Sequence, residues 1–282
     1  RLAILAMGPL MLFACTPEPE LLTTVVHSEV DLVETLSSTV PQLTSITIEP
    51  ETERVLLFDS NLGLLELDEE WTATSVFDTG ELVTEFPGLF SPNLLFSSVV
   101  LVALGEERFG VLSNMSLTVA LPHGDGVRSL DLGSDLPLRA DAVGNPRARS
   151  LAYDSDLDRL YVPTETPVMG TPSLLIDITT VDPSLDDPNL QEATSSEEIP
   201  ADSLFSAAPE ATAILPDGSL LLSVDAVFHR FTPDEEGGEL SLLGILPDVQ
   251  SIDGLVVRPS DGHLLVVDGD RDLLLELEVE GL

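Results

Sequence analysis

The sequence contains no lysine. All 11 of its basic side chains are arginine, set against 50 acidic ones, for a formal net charge of −39. Such a surface repels nucleic acid and anionic lipid headgroups, so polyanion binding is excluded as a function class. It tolerates high salt, where screening weakens self-repulsion. A cation-attracting surface, a saline habitat, or a solvated acidic face in an arginine-preferring genome all fit it. Cysteine occurs once, at Cys15, so no internal disulfide can form. Aromatic residues make up 5% of the chain, which leaves Leu and Val to fill the core. No segment shows sustained helical amphipathicity. No apolar run approaches the about 20 residues a membrane-crossing helix needs. The longest internal one, Leu94 to Leu104, has 11 residues and reads as a buried strand. GxSxG, Walker A, Rossmann and HExxH patterns are all missing.

What is present begins with an address. Leu2 to Ala14 is an uncharged apolar stretch with the length of a signal-peptide h-region. It ends in Leu12-Phe13-Ala14-Cys15, followed by Thr-Pro-Glu-Pro-Glu. Leu at −3, a small residue at −1 and then Cys resemble the lipobox of bacterial lipoproteins. That resemblance implies a signal peptide over 1–14 with a truncated basic region, lipidation at Cys15, and a Pro/Glu tether over 15–20. The mature chain would be held at a membrane of the bacterial cell envelope, on a periplasmic face or the cell surface, by acyl chains alone. The remaining alternative is a buried Cys closing an ordinary apolar segment.

From residue 45 onward one plan recurs: a short apolar strand, a tight turn of Asp, Gly, Ser and Pro, then a second apolar strand. It appears as "SITIEPETERVLLFDSNLGLLEL" (45–67), "RSLAYDSDLDRLYV" (149–162), "ATAILPDGSLLLSVDAVFHRFT" (211–232) and "DGLVVRPSDGHLLVVDGDRDLLLEL" (253–277). Pro216 and Pro259 are 43 residues apart, and Pro50 and Asp154 are 104 apart. A period of about 40 to 50 residues with several strands per unit marks a β-propeller. A weaker unit lies between Trp71 and Pro146, with Leu94 to Leu104 and Phe109 to Val119 as inner strands and Val127 to Leu132 as an outer one. The fold expected is therefore all-β: a propeller of about five blades, with room for a sixth, over residues 21–282. The last unit ends one strand short. Leu21 to Glu34 is expected to supply its outer strand and tie the chain ends together. The polar, Pro-punctuated stretch from Asp177 to Ser203 reads as an acidic surface loop inserted at about 179–203.

"PSDGHLLVVD" (259–268) resembles the repeats of NHL and YVTN-type propellers, also seen in the gluconolactonase-like group. Gluconolactonase-like enzymes hold a divalent metal with Glu, Asn and Asp inside the channel. None of those positions maps onto this chain.

Candidate sites follow from acidic spacing. Asp154, Asp156 and Asp158 alternate, as do Asp268, Asp270 and Asp272. Alternating carboxylates converge on calcium in loop sites. An EF-hand loop also needs Gly at its sixth position and Glu at its twelfth. The first cluster has Arg159 and Glu165 there, the second Leu273 and Val279. Asp154, Asp156 and Asp158 are therefore the candidate calcium ligands, with solvated turns as the alternative. Asp59, Asp225 and Asp268 each close a second strand, where an Asp either caps an Asx-turn or joins a ring of carboxylates at a channel mouth. His27, His123, His229 and His263 lie far apart in sequence and read as ordinary surface or packed residues.

With no catalytic constellation, the expected function is a non-catalytic binding or scaffold module. It would be exported and lipid-anchored, without a required cofactor, and would bind a protein or small molecule. The alternative is a metal-dependent hydrolase or lactonase of gluconolactonase type.

Overall fold

A computed structural model describes residues 19–38, 40–87, 89–90, 96, 99–105, 108–113, 118–123, 126–131, 147–167, 174–181, 196–199, 209–224, 226–234, 237–247 and 249–282. The expected signal segment, Cys15, Pro146 and Asp225 lie outside them.

The described chain opens with β1 (Thr24–Asp31) and a one-turn helix, α1 (Leu32–Thr35). The first sheet is β2 (Leu43–Ile48), β3 (Val55–Asp59), β4 (Gly63–Leu67) and β5 (Ala73–Phe77), paired in that order. Helix α2 (Thr79–Glu85) leads to the second sheet. Asp78 starts it with a capping box: its carboxylate accepts from Gly80 N and Glu81 N, both at 2.8 Å, and Glu81 Oε2 accepts from Asp78 N at 2.9 Å. The second sheet is β6 (Val99–Gly105), β7 (Arg108–Ser113), β8 (Thr118–His123) and β9 (Gly126–Asp131). The weak unit thus has four strands. The stretch expected as one strand over Phe109 to Val119 is two, β7 and β8, separated by 114–117.

Instead of five or six equivalent blades, four regular four-stranded ones form. The third sheet is built differently. Its inner edge is split into β10 (Arg147–Ala148) and β11 (Ala152–Asp154), both paired with β12 (Arg159–Pro167). Ala148 pairs with Thr164 and Ala152 with Tyr161, so three residues face two. Pro163, which has no N–H to donate, stands opposite the break. Outside β12 come β13 (Leu174–Val181) and β14 (Ser196–Ile199). The segment read as a surface loop at about 179–203 therefore contains the end of β13 and all of β14. Residues 182–195 lie outside the described residues.

The fourth sheet is β15 (Ala211–Ile214), β16 (Leu220–Val224), β17 (Val227–Asp234) and β18 (Gly237–Ile245). The last runs β19 (Gly254–Val257), β20 (Leu264–Asp268), β21 (Leu273–Val279), then β1, antiparallel to β21 from Thr24↔Val279 to Asp31↔Leu273. The N-terminal strand does complete the C-terminal sheet.

Burial explains the strand sequences. Successive residues of a strand enter the cores on opposite faces of its sheet. In β20, Leu264 and Val266 pack with Ala213, Leu221 and Phe228 of the fourth sheet. Leu265 and Val267 pack with Leu57 and Leu65 of the first. In β3, Leu56 and Phe58 turn to Leu101 and Phe109 of the second sheet. A strand buried on both faces must be apolar throughout, hence "VLLFD", "LLLSV" and "LLVVD" rather than alternation. The scarce aromatics are concentrated: Phe58, Phe77, Phe86, Phe90, Phe96 and Phe109 form one network between the first two sheets.

Candidate functional site

The innermost strands β2, β6, β11, β15 and β19 contact one another in a closed cycle. Each has a free backbone edge facing the axis side, which would leave polar groups unpaired. Hydroxyls from the neighbouring sheet supply partners. Leu101 N donates to Ser45 Oγ at 3.0 Å and Ala103 N to Thr47 Oγ1 at 3.1 Å. Ser150, in the break between β10 and β11, donates to Pro209 O at 2.9 Å and meets Thr212 Oγ1 at 2.7 Å.

The strands enclose a central cavity of about 440 Å³. Its wall is mostly Ile, Val, Leu and Ala, with the hydroxyls of Thr47 and Thr212. Pro50, Pro216 and Pro259, each in the turn after an inner strand, stand around one mouth together with Asp154, Ser155 and Asp156. Among the described residues, Asp154 and Asp156 are the charged side chains on that wall.

The candidate calcium ligands are engaged separately. Asp154 is buried and its Oδ1 closes an Asx-turn, accepting from Asp156 N at 2.9 Å and Leu157 N at 3.1 Å. Asp158, at φ 49°, accepts from the Tyr153 hydroxyl at 2.7 Å. Burial, then that carboxylate, pushes the Tyr153 phenol well above its ordinary range. Asp156 is exposed. Glu165, the twelfth residue of the pattern, is buried in β12.

Asp59 and Asp268, almost fully buried, clamp the loops that lead into the inner strands. Asp59 Oδ1 accepts from Asn61 N at 2.8 Å and Leu62 N at 2.9 Å, while Oδ2 takes Gln42 N at 2.7 Å. Asp268 instead accepts from Gln250 N at 3.0 Å and Ser251 N at 3.2 Å, so it closes no Asx-turn of its own. Asp225, the third member of the expected ring, lies outside the described residues. Burial, then the charges of Asp270, Asp268 and Asp272, raises the Asp253 carboxyl above its ordinary range.

The histidines are not all ordinary. The His123 side chain lies outside the described residues. His229 is buried in β17, and burial pushes its pKa down to about 4. His27 and His263, 236 positions apart in sequence, stack with ring centroids 4.2 Å apart. Sequence reading missed this pair, although the closure of β1 onto β21 held the signal. That pairing brings His27 to the Glu276-Leu277-Glu278 stretch, beside the turn that carries His263.

The architecture, sheets set around a central axis, compares with solved structures. Glutaminyl cyclase from Myxococcus xanthus is 11% identical, with a TM-score of 0.50, over 93% of this chain and 98% of that one. The fold is a β-propeller. The PQQ-bound aldose sugar dehydrogenase from Streptomyces coelicolor is 13% identical, TM-score 0.48, over 94% and 100%. The extracellular domain of a hybrid two component system from B. thetaiotaomicron is 14% identical, TM-score 0.44, over 83% of this chain. This chain spans 26% of that domain's length. No family model matches the chain, and no curated protein matches it. At these identities the likeness concerns the fold alone. Among the described residues, no helix is long and apolar enough to cross a membrane.

Proposed function

We propose that this chain is an exported, lipid-anchored β-propeller that acts as a binding or scaffold module without catalysis. The carrying observation is the channel wall: apolar and hydroxyl side chains, with Asp154 already committed to two backbone N–H groups. A metal-dependent hydrolase would draw three or more convergent ligands from that wall, and among the described residues it offers Asp154 and Asp156.

The anchor reading rests on Leu12-Phe13-Ala14-Cys15. It fits the way the tether joins the body. Glu20 O accepts from Ile245 N at 2.9 Å, and Leu22 N donates to Ile245 O at 2.9 Å. The chain is thus pinned to β18, an outer strand, five residues after Cys15. Five extended residues reach about 18 Å at most, so a lipidated Cys15 would hold the propeller's rim close to the bilayer.

Two measurements test the reading. Cys15→Ser should release the protein into the soluble fraction and abolish palmitate labelling; a variant that stays membrane-bound refutes the anchor. Purified protein, supplied in turn with Ca²⁺, Mn²⁺ and Zn²⁺ and a panel of lactones, should show no turnover beyond that of Asp154→Asn/Asp156→Asn. Metal-dependent turnover lost in that double variant would establish the hydrolase instead.

A further inference from the structure

The seam where the N-terminal strand joins the last sheet carries an unusual set of side chains. β1 and β21 are in register on both sides of a bulge between Val26 and Ser28, and His27 is the extra residue. Bulges re-aim side chains at strand edges. Here the bulge brings His27 to the stretch of β21 that holds Glu276 and Glu278. His27 Nε2 lies 3.3 Å from Glu278 Oε2. The second imidazole, His263, comes from the turn before β20 and stacks on the first.

The first and last sheets align without a gap from Pro50/Pro259 through Asp59/Asp268, which sets His263 where the first sheet has Arg54. Arg54 Nη1 pairs with Glu66 of β4 at 3.2 Å, and His263 Nδ1 lies 2.7 Å from Glu276 of β21. Glu66 and Glu276 stand opposite the equivalent residues Leu56 and Leu265, so they are equivalent by register. At the position of Arg54 the closing sheet thus carries an imidazole that meets a second imidazole from the other end of the chain, while Arg258 supplies the cation beside Glu276.

One ring nitrogen from each of His27 and His263 and a carboxylate oxygen of Glu278 lie within 4.8 Å of one another. We propose that His27, His263 and Glu278 form a binding site for a divalent transition-metal ion of the zinc class, which clasps the N-terminal strand to the last sheet. Imidazole and carboxylate donors suit zinc, and two His with one Glu form an established three-ligand set, leaving a position open for water. At a Zn–N distance of about 2.0–2.1 Å, two ligand atoms on a tetrahedral ion sit roughly 3.3 Å apart. The His27–Glu278 separation of 3.3 Å already matches that spacing. The remaining convergence needs rotation of side chains that are partly solvent-exposed.

The outer shell is built as well. With His263 Nδ1–H donating to Glu276, Nε2 is left with its lone pair for the metal, the usual carboxylate–histidine–metal relay. Glu276 also takes a hydrogen bond from Arg258, which holds its carboxylate in place beside His263. Arg258 in turn bridges Glu276 and Asp261.

The experiment uses the purified chain, stripped with EDTA, with Zn²⁺ and Co²⁺ as probes. One equivalent of Zn²⁺ should bind, raise the melting temperature and slow hydrogen exchange of the β1 amides, all reversed by EDTA. Co²⁺ should give the visible d–d bands of a histidine-ligated tetrahedral ion. His27→Ala and His263→Ala should abolish these signals. Glu276→Gln should weaken binding by about 10–100-fold, the usual effect of losing the outer partner of a ligating histidine. The remote surface variant Glu85→Gln should leave affinity unchanged, which separates a site from general attraction to an acidic surface. His27 is exposed, so its loss should not prevent folding; circular dichroism confirms this. Absence of stoichiometric Zn²⁺ binding, or binding indifferent to both histidine substitutions, overturns the proposal.

Discussion

Acidification should weaken this propeller in a way that one residue, His229, makes measurable. Its side chain lies in β17 between Leu222 and Leu242 of the adjoining strands and is 5% exposed. Burial disfavours the imidazolium and lowers the pKa from 6.5 to about 4. Folded-state affinity for the proton is below that of the unfolded chain. The stability this provides is therefore complete above pH 6.5 and is lost as pH falls towards 4. Each tenfold difference in proton affinity is worth about 1.4 kcal/mol, so the full loss is about 3 kcal/mol, of which about 2 kcal/mol is gone by pH 5. Urea unfolding between pH 7.5 and about 4, for the wild type and for His229→Leu, isolates this contribution. The carboxylates titrate equally in both proteins and cancel in the difference. The wild type should lose about 2 kcal/mol more than the variant on going to pH 5. Parallel stability curves for the two proteins would show that His229 does not stay neutral, and the reasoning fails.

Asp59→Ala removes the acceptor of three backbone N–H groups and should destabilise by about 3 kcal/mol, with Asp59→Asn intermediate, by urea denaturation. Thr47→Val keeps the side-chain shape but strands Ala103 N–H; a loss of about 1–3 kcal/mol is expected, and an unchanged urea midpoint would argue that water takes the hydroxyl's place. At Gly254 an added Cβ would stand 2.9 Å from Ile46 Cγ2 and 3.2 Å from Ile46 N. Gly254→Ala should therefore cost about 1–3 kcal/mol by forcing the last sheet away from the first, read as a lower melting temperature.

Local chemistry was legible wherever it repeats. The turns at Pro50, Pro216 and Pro259 and the apolar bursts beside them announce stacked sheets, because a strand covered on both faces has no polar side to show. The short C-terminal unit likewise called for an N-terminal partner strand, and Thr24–Asp31 takes that place. The third sheet was less legible. Its irregularity lies opposite Pro163, and which edge of β12 faces the inner strand is set only by the pairing. The strand Ser196–Ile199 was hidden because polar, acidic composition outweighed its pairing with β13.

By itself the sequence determined the class of fold, the order of strands within a sheet and the extreme acidity, since each depends on composition or on neighbours a few residues away. It could not decide which side chains from distant sheets meet. Alternating Asp at 154, 156 and 158 suggested a shared cation; the structure adds that Asp154 also closes its own turn and that Asp158 accepts from Tyr153. Four scattered histidines suggested nothing, yet one bulge and one ring closure stack His27 on His263. Turn chemistry is written within a few residues, whereas a site made by joining the two ends of a chain exists only once the ring has closed.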